Sequence, residues 1–232
     1  MFFDPMYFLI IAPAVLLGLW AQFRIHSTYA RAQQMPAPLS GAAAGRHILD
    51  SAGLTDVQVE EIPGQLSDHY DPRDKVLRLS PEVYEGRTLA AVGIAAHEAG
   101  HAIQHAHSYA PLVVRNAAVP AAGIGTYVSI PLIFLGAIFS MSTPLGAMLI
   151  WLGIGLFGAV VAFQVINLPV EFNASARAKV QLVSLGIVSD EELIYVSKVL
   201  NAAALTYVAA TLQAILTLLY YVMRFTGGSN RD

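Results

Sequence analysis

The sequence predicts a mainly α-helical membrane protein, with about four transmembrane helices and a small α+β segment made of a helix, a short β-hairpin and a second, Ala-rich helix. Three observations carry this prediction. The 232 residues are 56% hydrophobic and only 12% charged, about half the charged fraction of an ordinary soluble domain. Four windows of about 20 mostly apolar residues, the length that crosses a hydrocarbon core, lie near 6–23, 117–140, 145–166 and 202–223. The stretches left between them, 24–116 and 167–201, hold eight and three respectively of the 13 lysines and arginines.

Each element has a local signal. The first window, Met6 to Phe23, carries Pro13 and has Tyr7 and Trp20 near its ends, where amphipathic rings favour the interface. No basic run precedes it and no small-residue cleavage pattern follows, so a retained anchor is expected rather than a removed signal peptide. Ser40 is expected to cap a helix running to about Ser51, with Gly53 just past its end. Thr55 to Ile62 reads as a strand through Val57, Val59 and Ile62, closed by the turn Pro63-Gly64. Asp71 to Asp74 reads as a turn between two short strands, the second being Val76 to Leu79. Ser80-Pro81-Glu82 opens a helical stretch that from Thr88 is Ala-rich and proline-free until Pro111.

The second window contains Pro120 and Pro131, and the third is rich in glycine, with Ser140 to Pro144 as the turn between them. Leu168 to Ala178 is expected to start a new helix with Pro169 in its first turn. Ser189 is expected to cap another, with Asp190, Glu191 and Glu192 in the first turn where the helix dipole favours them. The last window, Ala202 to Met223, includes Thr206, Thr211, Gln213 and Thr217, which suits packing against other helices.

Four spans put both polar stretches on one side of the bilayer, and the excess of Lys and Arg makes that side cytoplasmic, with both termini outside. A multi-pass protein of the cytoplasmic membrane is expected. The net charge of -3 supplies no basic field for nucleic acid. The absence of cysteine excludes disulfides and thiolate metal sites, leaving His, Asp and Glu as ligands.

Those ligand types occur in a pattern with chemical meaning: His97-Glu98-Ala99-Gly100-His101. Residues four apart share a helix face, so His97 and His101 can present two imidazoles to one metal ion, with Glu98 beside them. A zinc ion (Zn2+) with three protein ligands keeps a position for water, lowers that water's pKa to about 7, and needs a carboxylate to take the proton. Chance gives the pattern in roughly 0.01 chains of this size and composition. Gly100 is expected to leave room beside the metal. Glu171 is the best candidate for third ligand, being the carboxylate closest to a span in the second polar stretch; Asp190, Glu191 and Glu192 are the alternatives. This reading makes the α+β segment zincin-type, with Glu98 as general base and a peptide or protein chain, membrane proteins included, as substrate.

The resulting plan is an anchor over 1–23, a cytoplasmic-face catalytic segment over 24–116, a transmembrane hairpin over 117–166, a segment supplying the third ligand over 167–201, and a last span and tail over 202–232. His69 and Tyr70 precede the histidine helix and are candidates either to donate to a transition-state oxyanion or to fix the hairpin. Arg177 is a candidate for the same oxyanion, with an ion pair to Asp68 or Asp71 the favoured expectation. His105 lies a turn beyond His101 and is expected to be solvent-facing or hydrogen-bonded. His107 has a weaker case for ligation, and His26 and His47 are expected at the surface.

Four segments carry a resemblance. Leu66-Ser67-Asp68-His69-Tyr70-Asp71-Pro72, Ala96-His97-Glu98-Ala99-Gly100-His101-Ala102-Ile103-Gln104, Leu168-Pro169-Val170-Glu171-Phe172-Asn173-Ala174-Ser175 and Ala203-Ala204-Leu205-Thr206-Tyr207-Val208-Ala209-Ala210 together resemble the YugP family of bacterial membrane zinc metallopeptidases, over nearly the whole chain. The resemblance implies a neutral zinc endopeptidase of the cytoplasmic membrane. More distantly the site is similar to HtpX-like gluzincins, in which Glu-Phe-any-Ala-Asp supplies the third ligand. Glu171 matches that ligand, and Ser175 stands where those enzymes have an aspartate that orients a ligand histidine.

Two other functions compete with this one. An intramembrane protease would place Thr88 to Ile103 within the bilayer, but such enzymes complete their site with an aspartate in a later span, and spans two to four contain none. A non-catalytic metal-binding membrane scaffold would bind zinc without an activity that depends on Glu98. A transporter is disfavoured, because its spans should carry ionisable residues.

Overall fold

The computed structural model describes residues 4–226; residues 1–3 and 227–232, including Arg231 of the expected tail, lie outside the described residues. In chain order the elements are α1 (Pro5–Gln33), α2 (Gly41–Ser51), β1 (Gln58–Glu61), β2 (His69–Asp71), β3 (Val76–Leu79), α3 (Pro81–Tyr84), α4 (Leu89–Ala106), α5 (Ala110–Ile138), α6 (Pro144–Ser184) and α7 (Asp190–Thr226). The chain divides into two compact units. One comprises Met1–Leu19, Val114–Leu168 and Tyr207–Asp232, the other Trp20–Val113 and Pro169–Thr206.

Helices α1, α5, α6 and α7 are each long and apolar enough to cross a membrane, as the hydropathy windows predict. All four begin before those windows, and α1, α6 and α7 also run beyond them. The largest difference is in α6, whose 41 residues extend about 60 Å at the helical rise of 1.5 Å per residue, twice the hydrocarbon thickness. Pro169 therefore sits inside α6 and does not open a new helix. A proline in a helix interior loses one hydrogen bond and costs about 3 kcal/mol. Burial on the far side of it explains why the helix continues: Val170, Ala174, Ala178 and Leu182, four apart on one face, are all at most 1% exposed. The helix stops where glycine allows a left-handed residue. Gly186 has φ +63°, its N–H donates to Val183 and that of Ile187 to Leu182, which closes the last turn. The next helix then starts as expected, with Ser189 Oγ accepting from the Glu192 N–H at 3.3 Å and Glu192 accepting from the Ser189 N–H at 2.8 Å.

In the first unit, α5 and α6 form a hairpin around the turn at Ser140, whose φ is +72°. Their backbones touch at glycine. A Cβ on Gly136 would lie 2.7 Å from the Gly146 carbonyl oxygen, and one on Gly153 2.7 Å from that of Ser129, the close approach that small residues permit between helices in lipid. Ile133, Ile150 and Ile154 form the buried cluster of this unit. Thr211 and Thr217 of α7 are buried, matching the expectation that this helix packs on others.

The second unit is built on a three-stranded sheet in the order β1-β3-β2. The hairpin is present, with β2 antiparallel to β3 and Tyr70 opposite Leu77. The expected strand over 55–62 shortens to β1 and pairs parallel to β3, a long-range pairing with no local signal. Ser40 caps α2 by accepting from the Ala43 N–H, and Gly53 adopts φ +73° after it. The helical stretch opened at Ser80 is only the four-residue α3; Thr88 then caps α4, accepting from the Ala91 N–H. Leu77, Leu79, Ile48, Leu49 and Val83 are buried together with Leu89, Val92 and the small residues of α4.

Candidate metal centre

Helix α4 holds His97 and His101 on one face, their rings 4.8 Å apart and nearly perpendicular. Helix α6 brings Glu171 to them, 5% exposed. His97 Nε2 is 3.3 Å from Glu171 Oε2 and His101 Nε2 is 3.8 Å from Glu171 Oε1. Among the described residues, these three form a group able to hold a metal ion, with ligand atoms all within 4.8 Å of one another. Bonds of about 2.0–2.2 Å in a tetrahedral zinc site put neighbouring ligand atoms about 3.3–3.6 Å apart. The two observed separations are close to that edge. Two imidazoles and one carboxylate, with no thiolate, also form a donor set suited to zinc with a position left for water. A buried carboxylate requires a cation or strong hydrogen bonds as company, and a metal between Glu171 and the histidines meets that need.

The outer nitrogens of both histidines are engaged. Ser175 Oγ is 3.1 Å from His97 Nδ1, so the serine meets one of the two candidate ligand histidines from behind. Glu171 and Ser175 are four apart on α6, which is why both meet His97 from one face. Gln104 Oε1 is 3.0 Å from His101 Nδ1. Gln104 belongs to no ligand motif, and only its place three residues after His101 on one helix marks it in the sequence; its partners on α6 have no local signal. Burial opposes a charged His97, but the carboxylates of Glu171 and Glu98 outweigh it, and the imidazole is held above its ordinary value.

Glu98 carries a different signature. Burial pushes its carboxyl up to about 7, with the negative charges of Glu171 and Asp68 adding to the effect and His97 opposing it. Its Oε2 accepts the backbone N–H of Tyr70 at 3.2 Å. Strand β2 lies at the sheet edge, so Tyr70 can turn that N–H to Glu98. The Tyr70 hydroxyl is 2.9 Å from His105 Nδ1, which makes His105 a hydrogen-bonded residue as expected. His69 is exposed, and its Nδ1 meets the Ser67 carbonyl at 2.7 Å. His107 Nδ1 meets the Ile103 carbonyl, while His26 and His47 are exposed.

Two expectations are corrected. Arg177 does not pair with Asp68 or Asp71: its Nε donates to Asn173 Oδ1 at 2.8 Å, one helical turn back. Asp71 is taken by Arg73 and Arg78, and Asp68 by the N–H and hydroxyl of Ser80. Gly100 does not keep space for a metal. A Cβ there would lie 2.6 Å from the Ala174 carbonyl oxygen, so the glycine admits the backbone of α6. Asp190, Glu191 and Glu192 stand in the first turn of α7 and are not part of the metal-binding group.

The comparisons place the chain in a family. The family described as "Putative neutral zinc metallopeptidase" matches residues 7–226. The chain is 48% identical over 228 residues to a protein of Bacillus subtilis (strain 168) described as "Putative membrane protease YugP", covering 97% of this chain and 98% of that one. No solved structure matches. The resemblance carried by the four sequence segments therefore holds over nearly the whole length, and with four membrane-length apolar helices the chain is a membrane protein belonging to this zinc metallopeptidase family.

Proposed function

We propose that this chain hydrolyses peptide bonds at a single zinc ion held by His97, His101 and Glu171, with Glu98 as general base. The observation that carries the reading is the convergence of both Nε2 atoms on the Glu171 carboxylate beside a second carboxylate pushed up to about 7. Zinc bound there would supply a Lewis acid that makes water nucleophilic near neutral pH and polarises the scissile carbonyl. Glu98 takes the proton as the water oxygen adds to the carbonyl carbon. It then delivers that proton to the leaving nitrogen as the C–N bond breaks. The Tyr70 N–H holds Glu98 in place. His69 and Tyr70 lie on the edge strand next to Glu98, which supports a role for that strand in contacting substrate. The distribution of Lys and Arg, with Arg24 and Arg31 directly after the first apolar window, supports an active site on the cytoplasmic face of the cell membrane.

The test compares the parent with Glu98→Gln for zinc content and for cleavage of an unfolded protein substrate. Both should bind zinc, and only the variant should lose cleavage, by about 100-fold or more. Full cleavage by the variant rules out Glu98 as the base. A parent that binds zinc and cleaves no substrate favours the scaffold.

A further inference from the structure

We infer that Arg177, Asn173 and Gln104 form a directed hydrogen-bond chain that fixes the tautomer and orientation of His101 as a metal ligand. The inference rests on His101 being a ligand, as proposed above.

The direction of the chain follows from donor and acceptor chemistry, starting at the one member that can only donate. A guanidinium has no acceptor, so the 2.8 Å contact from Arg177 Nε identifies the Asn173 atom it meets as the oxygen. That oxygen is also 3.0 Å from the Gln104 side-chain amide, whose other contact is the Val170 carbonyl at 2.8 Å. Two acceptors face the same end of the Gln104 amide, so that end is the NH2 group; reversing it would set oxygen against oxygen twice. The other end of the amide, Oε1, then faces His101 Nδ1 at 3.0 Å. An acceptor at that position requires Nδ1 to carry the proton, which leaves the lone pair on Nε2, the nitrogen turned towards Glu171. Gln104 is fully buried, so no water competes for these contacts.

The two histidines are thus held differently. Ser175 beside His97 has a hydroxyl that can donate or accept and does not choose a tautomer. The chain behind His101 permits one only. It also links ligand to ligand, because Val170 directly precedes Glu171 and Asn173 follows it by two. Gln104 is therefore a positioning residue that joins the histidine helix to the carboxylate helix. Arg177, half-buried at the outer end, acts through Asn173.

The experiment uses the full-length protein in detergent, stripped of metal and titrated with Co2+ in competition with a chelator, reading affinity and the visible absorption of the bound ion. Losing a hydrogen bond to a metal-bound histidine weakens metal binding about 10- to 100-fold. Gln104→Met and Asn173→Leu should both do so and shift the cobalt spectrum. Arg177→Met, which removes the donor at the outer end of the chain, should weaken binding about tenfold. Asn173→Asp keeps an acceptor for both neighbours and should bind no more weakly than the parent. His101→Ala serves as reference. If it loses Co2+ while Gln104→Met, Asn173→Leu and Arg177→Met keep parental affinity and spectrum, the positioning chain is wrong. If His101→Ala itself binds as the parent does, the ligand assignment fails and the inference falls with it.

Discussion

The Gly100 position and the Ala174 carbonyl oxygen are in backbone contact: a Cβ added at Gly100 would stop 2.6 Å from that oxygen. This contact sets the spacing of the centre, since Gly100 precedes His101 by one residue and Ala174 follows Glu171 by three. Replacing Gly100 with alanine must push α4 and α6 apart, because the obstructing atom is backbone and cannot rotate away. Gly100→Ala is expected to cost about 1–3 kcal/mol of stability and to lower zinc content. Thermal unfolding and the zinc-to-protein ratio measure the two effects; parental values for both would show that the helices tolerate separation.

The two carboxylate oxygens of Glu171 lie one near each histidine. Glu171→Ala should reduce zinc affinity by more than the roughly 10- to 100-fold that loss of a supporting hydrogen bond costs. Unchanged zinc occupancy would send the search for the third ligand elsewhere.

Asp71 links the hairpin to acid stability. The Arg73 backbone N–H and the guanidinium groups of Arg73 and Arg78 hold its carboxyl down at about 2, below its ordinary 3.8. A carboxylate whose value is lowered on folding stabilises the fold above its unfolded value, and that contribution is lost as the pH falls through the folded one. Its share of stability is therefore present above about pH 4 and disappears towards pH 2. In Asp71→Asn, the loss of stability between pH 4 and pH 2 should be shallower than in the parent. Identical acid unfolding curves would contradict this.

Thr88 caps the helix that carries the histidines, and its oxygen accepts from the Ala91 N–H at 3.2 Å. Thr88→Ala should lower stability by about 1 kcal/mol without loss of zinc, and Thr88→Ser should restore it. A Thr88→Ala protein as stable as the parent would show that the cap contributes nothing.

A reporter fused after Asp232 should register outside the cell, and one placed between α1 and α2 inside. The reverse pattern would overturn the orientation inferred from Lys and Arg.

By itself the sequence determined whatever depends on neighbours a few residues apart. His97 and His101 share a face because four residues make about one helical turn; Ser40, Ser189 and Gly53 end helices through bonds reaching three or four residues. The hairpin at 69–79 needs only its own turn, and the four apolar helices follow from composition over about 20 residues. Tertiary structure decided the rest. Pro169 reads locally as a helix start, yet α6 runs through it because Val170, Ala174, Ala178 and Leu182 bury one continuous stripe. The parallel pairing of β1 with β3, the use of Gly100 as a backbone contact and the role of Gln104 all depend on chain segments brought together by folding. Gln104 and Asn173 are 69 positions apart. A hydrogen bond across that distance follows from how two helices pack, and helix packing is set by the whole buried surface rather than by any short pattern of residues.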